Sequence, residues 1–413
     1  MLRKAHSNTH CKIIELTEFV PVYLPQHQLS EQDGRKLWTY YSSQITIQFP
    51  TIKTDHQWIL TAQGWVGFIP LSSQVAISLN PKVPLANLFG MLEYTHDLKS
   101  FRWQTDLFEA KSLDGFYTRL ALLLAQRVIQ RCRQGIYREY LTHIEPLPYV
   151  RGSLALSKTL SAVEQHQPIC CYEEQSADIE DNQILTWALH RILQSNILRD
   201  NLSALKAVAQ PAVRRAYRQM RALTTLKPYN AQACQNRRYH RLNADYEALH
   251  GLSAFFLADS GPSHEVGGDT MVPFLVDMAR LYERFVANWL QQHMGADFRV
   301  QAQERQPIGN GASVYFNIDL TIYDTQTGQV RWVMDTKYKS PMAGPAAEDI
   351  AQAIAYAQVK GAPESILIYP LPLMQPLDVQ SGEISVQSLI FGLAHDLEEA
   401  GSKFLAMLFR RAS

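Results

Sequence analysis

Ser313-Val-Tyr-Phe-Asn-Ile-Asp-Leu-Thr-Ile-Tyr323, then Asp-Thr-Gln-Thr-Gly328, then Val330-Arg-Trp-Val-Met-Asp-Thr-Lys-Tyr-Lys339 is the stretch that decides the fold. Val314, Phe316, Ile318, Leu320 and Ile322 alternate with more polar residues, the period of a strand with one apolar face, and Asp319 falls on the opposite face. Thr-Gln-Thr-Gly supplies turn residues, so the two runs predict a β-hairpin. Asp335 and Lys337 are two apart, which puts both side chains on one side of the second strand. If Asp324 pairs with Val330, Asp319 comes opposite Asp335, and two carboxylates share a patch with an ammonium. A slip of one residue would send Asp319 to the other face.

Two carboxylates held close raise one another's pKa unless a cation lies between them. Mg2+ suits such a pair: it is hard, prefers oxygen, and is commonly held by one or two carboxylates with phosphate and water completing the shell. Lys337 beside it would orient or deprotonate a water and stabilise charge growing on a phosphate. That is the chemistry of phosphodiester hydrolysis.

The flanking helices add candidates. Phe274 to Trp289 predicts an amphipathic helix whose buried stripe is Phe274, Met278, Leu281, Tyr282, Phe285 and Trp289. Glu283 borders that stripe, either as an extra metal ligand or as a solvent-side partner of Arg284. Downstream, Asp349-Ile-Ala-Gln-Ala-Ile-Ala-Tyr-Ala357 puts Gln352 and Tyr356 four apart on one helical face, to contact DNA or to brace Lys337.

The rest of the chain sets limits. Its 413 residues predict two or three domains, and 46% hydrophobic against 19% charged residues exclude disorder for the bulk. No apolar run approaches the roughly 18 residues of a membrane span, and no secretory signal opens the chain, so a cytoplasmic protein without a membrane partner is expected. Cys11, Cys132, Cys170, Cys171 and Cys234 contain no Cys-x-x-Cys pair and read as reduced thiols without a metal role. His264-Glu265 lacks a second histidine, and His6 with His10 makes no convincing metal site. Net charge is zero, but residues 201–244 carry nine basic side chains and no acidic one, suited to phosphates or to a solvated helix face. Residues 270–413 carry 11 basic and 15 acidic side chains, a poor balance for gripping DNA unaided.

The fold class expected is α/β, or α+β multidomain, in three parts. Residues 1–150 form a β-rich N-terminal docking module with helices, its strand runs at Ile45–Phe49, Trp58–Thr61, Gly64–Ile69 and Val75–Leu79. Residues 151–265 form a helical middle with basic faces, closed by a link between Asp259 and Thr270. Residues 266–413 form the domain that carries the acids, preceded at Gly309-Asn-Gly311 by a turn.

A helix with Glu283, an alternating strand with Ile318-Asp319-Leu320, a short turn, Asp335-Thr336-Lys337, and a helix with Gln352-x-x-x-Tyr356 follow in order. Together they resemble the PD-(D/E)xK restriction-endonuclease-like superfamily, except that Ile318 replaces the proline of the first motif. Asn80-Pro-Lys-Val-Pro-Leu-Ala-Asn-Leu-Phe-Gly-Met-Leu-Glu-Tyr94, Asp181-Asn182, Met278-x-x-Leu-Tyr-Glu-x-Phe-Val286 and Asp335-Thr-Lys-Tyr-Lys339 narrow the likeness to the McrC family, over most of the chain. That resemblance implies a type IV restriction endonuclease subunit that cuts double-stranded DNA with Mg2+ and leaves a 5′-phosphate. Catalytic residues would be Asp319, Asp335 and Lys337, assisted by Glu283, Gln352 and Tyr356, with Mg2+ on Asp319, Asp335 and the Thr336 carbonyl.

The resemblance also implies an McrB-like AAA+ GTPase ring as partner, entered and stimulated by the N-terminal region. Consistent with a need for one, the chain has no phosphate-loop motif of its own. Tyr40, Tyr41, Trp58, Trp65 and Phe68 would be candidates for that contact, though aromatics in short strands are more often core. Two alternatives stand beside it: a stand-alone RecB-like end-processing nuclease, and a non-catalytic GTPase activator and scaffold.

Overall fold

The computed structural model describes residues 12–72, 74–95, 113–155, 167–195, 198, 204–235, 237–258, 264–266, 269–271, 274–308, 314–339, 344–394 and 396–410. His6, His10, Cys11 and the Gly309-Asn-Gly311 turn lie outside the described residues.

The N-terminal strands are β1 (Lys12–Thr17), β2 (Val22–Pro25), β3 (Ile45–Gln48), β4 (Gln57–Ala62), β5 (Trp65–Pro70) and β6 (Val75–Asn80), with helices α1 (Glu31–Tyr41) and α2 (Leu85–Thr95). Ser30 starts α1 by accepting the Asp33 N–H at 3.1 Å, a side-chain N-cap. Leu37 and Tyr41 then face a core built from Leu16, Ile45, Trp58, Leu60, Ile69, Ile77 and Leu79. Tyr41 and Trp58 are therefore core and not contact surface, whereas Tyr40 is exposed.

The middle of the chain holds α3 (Leu113–Gln134), β7 (Glu139–Pro146), β8 (Ser153–Leu154), β9 (Ile169–Ser176), α4 (Glu180–Gln194), α5 (Ala204–Arg221) and α6 (Tyr246–Ala258). The three strands form an antiparallel sheet ordered β7-β9-β8. Asp181 and Asn182, at the start of α4, are buried polar residues whose bonds explain their place. Asn182 Nδ2 donates to the carbonyls of Tyr137 (2.8 Å) and Ala177 (2.7 Å), its Oδ1 accepts from Tyr246 OH (2.6 Å), and Asp181 pairs with Arg237. Of the basic segment, Arg237 is thus tied to acids, while Arg214, Arg215 and Arg218 stand exposed on α5.

The C-terminal part holds β10 (His264–Val266), β11 (Asp269–Met271), β12 (Phe274–Asp277), α7 (Met278–His293), β13 (Phe298–Ile308), β14 (Val314–Asp324), β15 (Val330–Thr336), α8 (Ala347–Lys360), β16 (Glu364–Tyr369), β17 (Asp378–Ser381), β18 (Ile384–Ile390) and α9 (Leu397–Arg410). Two expectations are corrected here. The stretch read as a link contains the antiparallel pair β10–β11. The helix expected from Phe274 begins at Met278, because Phe274–Asp277 pairs with β5 as a strand and Asp277 then caps the helix by accepting the Arg280 N–H at 3.1 Å.

Contacts divide the chain into two compact units, Met1–Phe116 together with Asp259–Ser413, and Tyr117–Ala258. This differs from the three segments drawn on composition. β12 completes the N-terminal sheet, ordered β1-β6-β5-β12, and α2 is bonded to C-terminal residues through Asn87 Nδ2 to Leu393 O (2.7 Å) and Asn288 Nδ2 to Tyr94 O (2.9 Å). The first and last thirds of the sequence thus share one unit, and the helical middle is an insertion between them.

A six-stranded sheet ordered β13-β14-β15-β16-β18-β17 positions the acids. β13, β14 and β15 are antiparallel neighbours, while β15–β16 and β16–β18 are parallel. α8 makes the crossover between β15 and β16 and packs Tyr356 and Ala357 against Ile318 and Val333. On another side Trp332 meets Phe298 (5.2 Å between ring centres) and Phe409 of α9 (5.9 Å). The expected single apolar face is accordingly corrected: Ile318 clusters with Val333 and α8 while Ile322 lies opposite Trp332, the neighbour of Val333 on the other face of β15, and between them the β13–β14 ladder is interrupted at Gln303 and Asp319, where Gln303 takes φ +47°.

Candidate active site

β14 and β15 pair Leu320 with Met334, Thr321 with Val333 and Ile322 with Trp332, so Asp319 and Asp335 come next in line. At the hairpin end the register shifts and Val330 pairs with Tyr323 rather than Asp324, a bulge that leaves the pairing near the acids as the alternation requires. Asp319 and Asp335 do not extend the ladder. Instead one Asp319 oxygen, Oδ2, accepts both the backbone N–H and the hydroxyl of Thr336, each at 2.9 Å.

Lys337 follows the end of β15 and is fixed at both ends. Its backbone N–H donates to Ile368 O (2.8 Å), and its Nζ lies 2.6 Å from Asp335 Oδ2 and donates to Gln352 Oε1 (2.9 Å). Gln352 Nε2 donates in turn to Tyr356 OH at 2.6 Å, and Tyr356 is wedged against Phe316 with ring centres 5.0 Å apart. Of the two roles open to Gln352 and Tyr356, the geometry provides the brace on Lys337. Glu283 Oε1 accepts from Gln303 Nε2 (2.8 Å), so it is tied to β13.

Asp349 was not singled out by its sequence. It opens α8, is 5% exposed, takes Lys339 Nζ at 2.8 and 2.9 Å, and lies 3.6 Å from Lys337 Nζ. The available signal was spacing, because Asp349, Gln352 and Tyr356 fall at i, i+3 and i+7 on one helical face.

The electrostatics are those of an acidic pocket short of positive charge. Burial and then the neighbouring Asp319 push Asp335 up to about 6, against the opposing pull of Lys337. Burial also raises Asp319, more than its bonds to Thr336 lower it, and burial followed by the Asp319 charge raises Glu283. Burial works against the Lys337 ammonium, but Asp335, Asp349 and Asp319 outweigh it and hold its pKa above the ordinary value. Lys337 is therefore a fixed cation here, suited to orienting water and stabilising phosphate charge rather than to taking a proton.

A divalent cation fits this donor set. Asp335 Oδ2 is buried 2.6 Å from Lys337 Nζ, an ammonium that also lies 3.6 Å from Asp349, so the buried Asp319 and Asp335 together carry more negative charge than this one cation offsets. Among the described residues no group of three or more His, Cys, Asp or Glu side chains is set to hold a metal, so Glu283 is not gathered in as a third carboxylate. Two carboxylates with backbone oxygen and water is the regime of Mg2+ rather than of a closed zinc site.

A family model described as McrBC 5-methylcytosine restriction system component matches residues 60–370, three quarters of the chain. No curated protein matches. A solved structure of similar fold is a refined half-complex from a tetradecameric assembly of Thermococcus gammatolerans McrB AAA+ hexamers with bound McrC. It is 15% identical, with TM-score 0.55, covering 97% of this chain and 100% of that one. A cryo-EM structure of the Thermococcus gammatolerans McrBC complex matches at 17% identity and TM-score 0.39, covering 69% of this chain and 88% of that one.

Proposed function

The chain belongs to the family of McrBC 5-methylcytosine restriction system components, and from that premise we propose that it is the nuclease subunit of such a system. It is a Mg2+-dependent DNA endonuclease with a PD-(D/E)xK domain, which cuts double-stranded DNA when an McrB-like AAA+ GTPase drives it and stimulates that GTPase in return. The partner is supported by the family and by the half-complex, in which McrC is bound to McrB hexamers. The observation that carries the hydrolytic reading is the placement of Lys337 Nζ 2.6 Å from Asp335 and 2.9 Å from Gln352, beside an Asp319 supplied by the adjacent strand.

Asp319 and Asp335, with the Thr336 carbonyl, would hold Mg2+, whose chemistry there is to neutralise the phosphate and activate water. The rest falls to the chain. Lys337 keeps its charge, held in place by Gln352 and Tyr356, and faces the phosphate oxygens whose charge grows during displacement. Asp349 balances Lys337 and Lys339 from the far side. Thr336 aims Asp319 through two hydrogen bonds to one oxygen, leaving the other free.

Lys337→Ala tests the reading. With the AAA+ partner, GTP, Mg2+ and modified DNA, cutting should fall by at least about a hundredfold, the scale of losing one positioned charge at a transition state, while partner binding and GTPase stimulation stay. Unchanged cutting refutes it. Wild-type cutting without partner or GTP favours a stand-alone nuclease. Wild type that never cuts yet stimulates the GTPase is a scaffold.

A further inference from the structure

Three polar groups outside the acidic site are buried together against the residue that follows Lys337. Glu18, just beyond β1, is 2% exposed. Its Oε2 accepts the Lys82 backbone N–H (3.0 Å) and the Tyr338 hydroxyl (3.0 Å), while its Oε1 has no hydrogen-bond partner. Lys82 Nζ is likewise buried without a hydrogen bond, standing over the rings of Phe19 (4.7 Å) and Tyr338 (4.6 Å). Phe19, next to Glu18, has φ +62°, a left-handed conformation that a bulky residue adopts only when its surroundings enforce it.

Burying a carboxylate and an ammonium with open valences is a poor route to stability, since apolar packing of the same volume usually does better. Such groups earn their place by fixing one geometry. What is fixed here is the backbone leaving β15. Thr336 is the last residue of β15 paired to β16, the Lys337 N–H makes the final bond to that strand at Ile368 O, and Tyr338 and Lys339 lie beyond it. Tyr338 is 5% exposed, and its ring also lies 5.9 Å from that of Tyr282 on α7, which is itself anchored by its hydroxyl to Phe391 O (3.0 Å). Its hydroxyl is thus the link that ties the residue after Lys337 to the end of β1.

We propose that Glu18 and Tyr338 are positioning residues for Lys337: through one hydrogen bond, the N-terminal sheet holds the backbone at 336–338 so that the Lys337 ammonium meets the acids. Whatever displaces the end of β1 then acts on the hydrolytic site. This rests on the hydrolytic reading of Lys337 given above.

The test uses the full chain with its AAA+ partner, GTP, Mg2+ and modified DNA. Tyr338→Phe keeps the ring over Lys82 and removes only the hydroxyl. The expected result is a fall in kcat of about tenfold or more at saturating Mg2+, the scale of a small misplacement of a reacting group, with KM for DNA and partner binding unchanged, measured well below a thermal midpoint that the lost bond to the buried Glu18 itself lowers. Glu18→Leu, which removes the acceptor at similar volume, should give the same loss, and the double variant no more than either alone, because the two act as one unit. Wild-type kcat in a folded Tyr338→Phe protein overturns the proposal, as do single losses that multiply, or a loss of cutting that merely follows a lowered midpoint. Lys337→Ala in the same assay separates the two ideas. If it cuts normally, the hydrolytic reading fails; if it is dead while Tyr338→Phe is unimpaired, the linkage alone fails.

Discussion

Asp335→Asn should make the metal-free protein more stable while abolishing cutting. Burial and the nearby Asp319 raise the Asp335 carboxyl from 3.8 to about 6. At about 1.4 kcal/mol for each tenfold change in a proton equilibrium, that difference corresponds to about 3 kcal/mol. The sign follows from which state holds the proton more tightly. The folded chain does, so the contribution is fully present below pH 4, is lost as pH rises toward 6, and leaves the ionised group a net burden at pH 7. An amide of the same shape removes the burden. Lys337 keeps Gln352 at 2.9 Å and Asp349 at 3.6 Å, so little of the gain is given back by the broken ion pair.

The assay is thermal or denaturant unfolding in EDTA from pH 4 to pH 8. At pH 7 the variant should exceed wild type by about 2–3 kcal/mol, a rise of several degrees in midpoint, and the gap should close toward pH 4. Adding Mg2+ should then raise the wild-type midpoint by mass action and leave the variant where it is. A variant less stable than wild type at pH 7 in EDTA, or one with the same pH slope, would refute the claim that this carboxylate is held against its own charge.

Three further outcomes are expected. Gln352→Ala frees the Lys337 ammonium from its 2.9 Å acceptor and should lower kcat about tenfold or more without altering partner binding, since a hydrogen bond to a charged group is worth roughly 1.5–3 kcal/mol; steady-state cutting measures it. Gly401→Ala would drive a Cβ into the indole of Trp289, which is itself fully buried, and should cost about 1–3 kcal/mol or more in an unfolding experiment. Arg237→Ala strands Asp181, 7% exposed, with its main cationic partner gone, and should cost about 3–5 kcal/mol, with the loss smaller in Arg237→Ala/Asp181→Asn.

The sequence made the acidic strands readable because strand period, turn chemistry and Asp-x-Lys spacing all operate over fewer than thirty residues. Even the register came through: a bulge absorbed the discrepancy at Tyr323 and Val330 without moving Asp319 relative to Asp335. Asp349 was visible by helical spacing but disguised, since an acid in the first turn of a helix is ordinarily explained by the helix dipole. Glu18 and Tyr338 had no signal at all, being 320 residues apart and brought together by the way β12 returns the chain to the N-terminal sheet and α2 bonds to the C-terminal part. The same return made composition a poor guide to the compact units, because a unit assembled from both ends of a chain has no continuous stretch to read.

The site lies where it does because Asp319 competes with the sheet for a donor. In an uninterrupted hairpin the N–H of Thr336 would be satisfied along the ladder, yet here the Asp319 carboxylate takes it, and pairing between β14 and β15 stops at Leu320 and Met334. On its other side β15 stays paired to β16 through Thr336 and Ile368, and β14 is paired to β13 on both sides of Asp319, at Leu320 with Ala302 and at Ile318 with Glu304, and on to Val314 and Ile308. The two strands therefore part at the acids while each keeps a firm neighbour. A gap opened between braced strands keeps the acids in fixed places without the give of a loop, which is what positioned charge requires. It also explains why Asp335 can be forced to remain buried and ionisable beside Asp319: neither strand is free to swing its acid out to water, so their repulsion is relieved in place, by the Lys337 ammonium and, as pH falls toward 6, by a proton on Asp335.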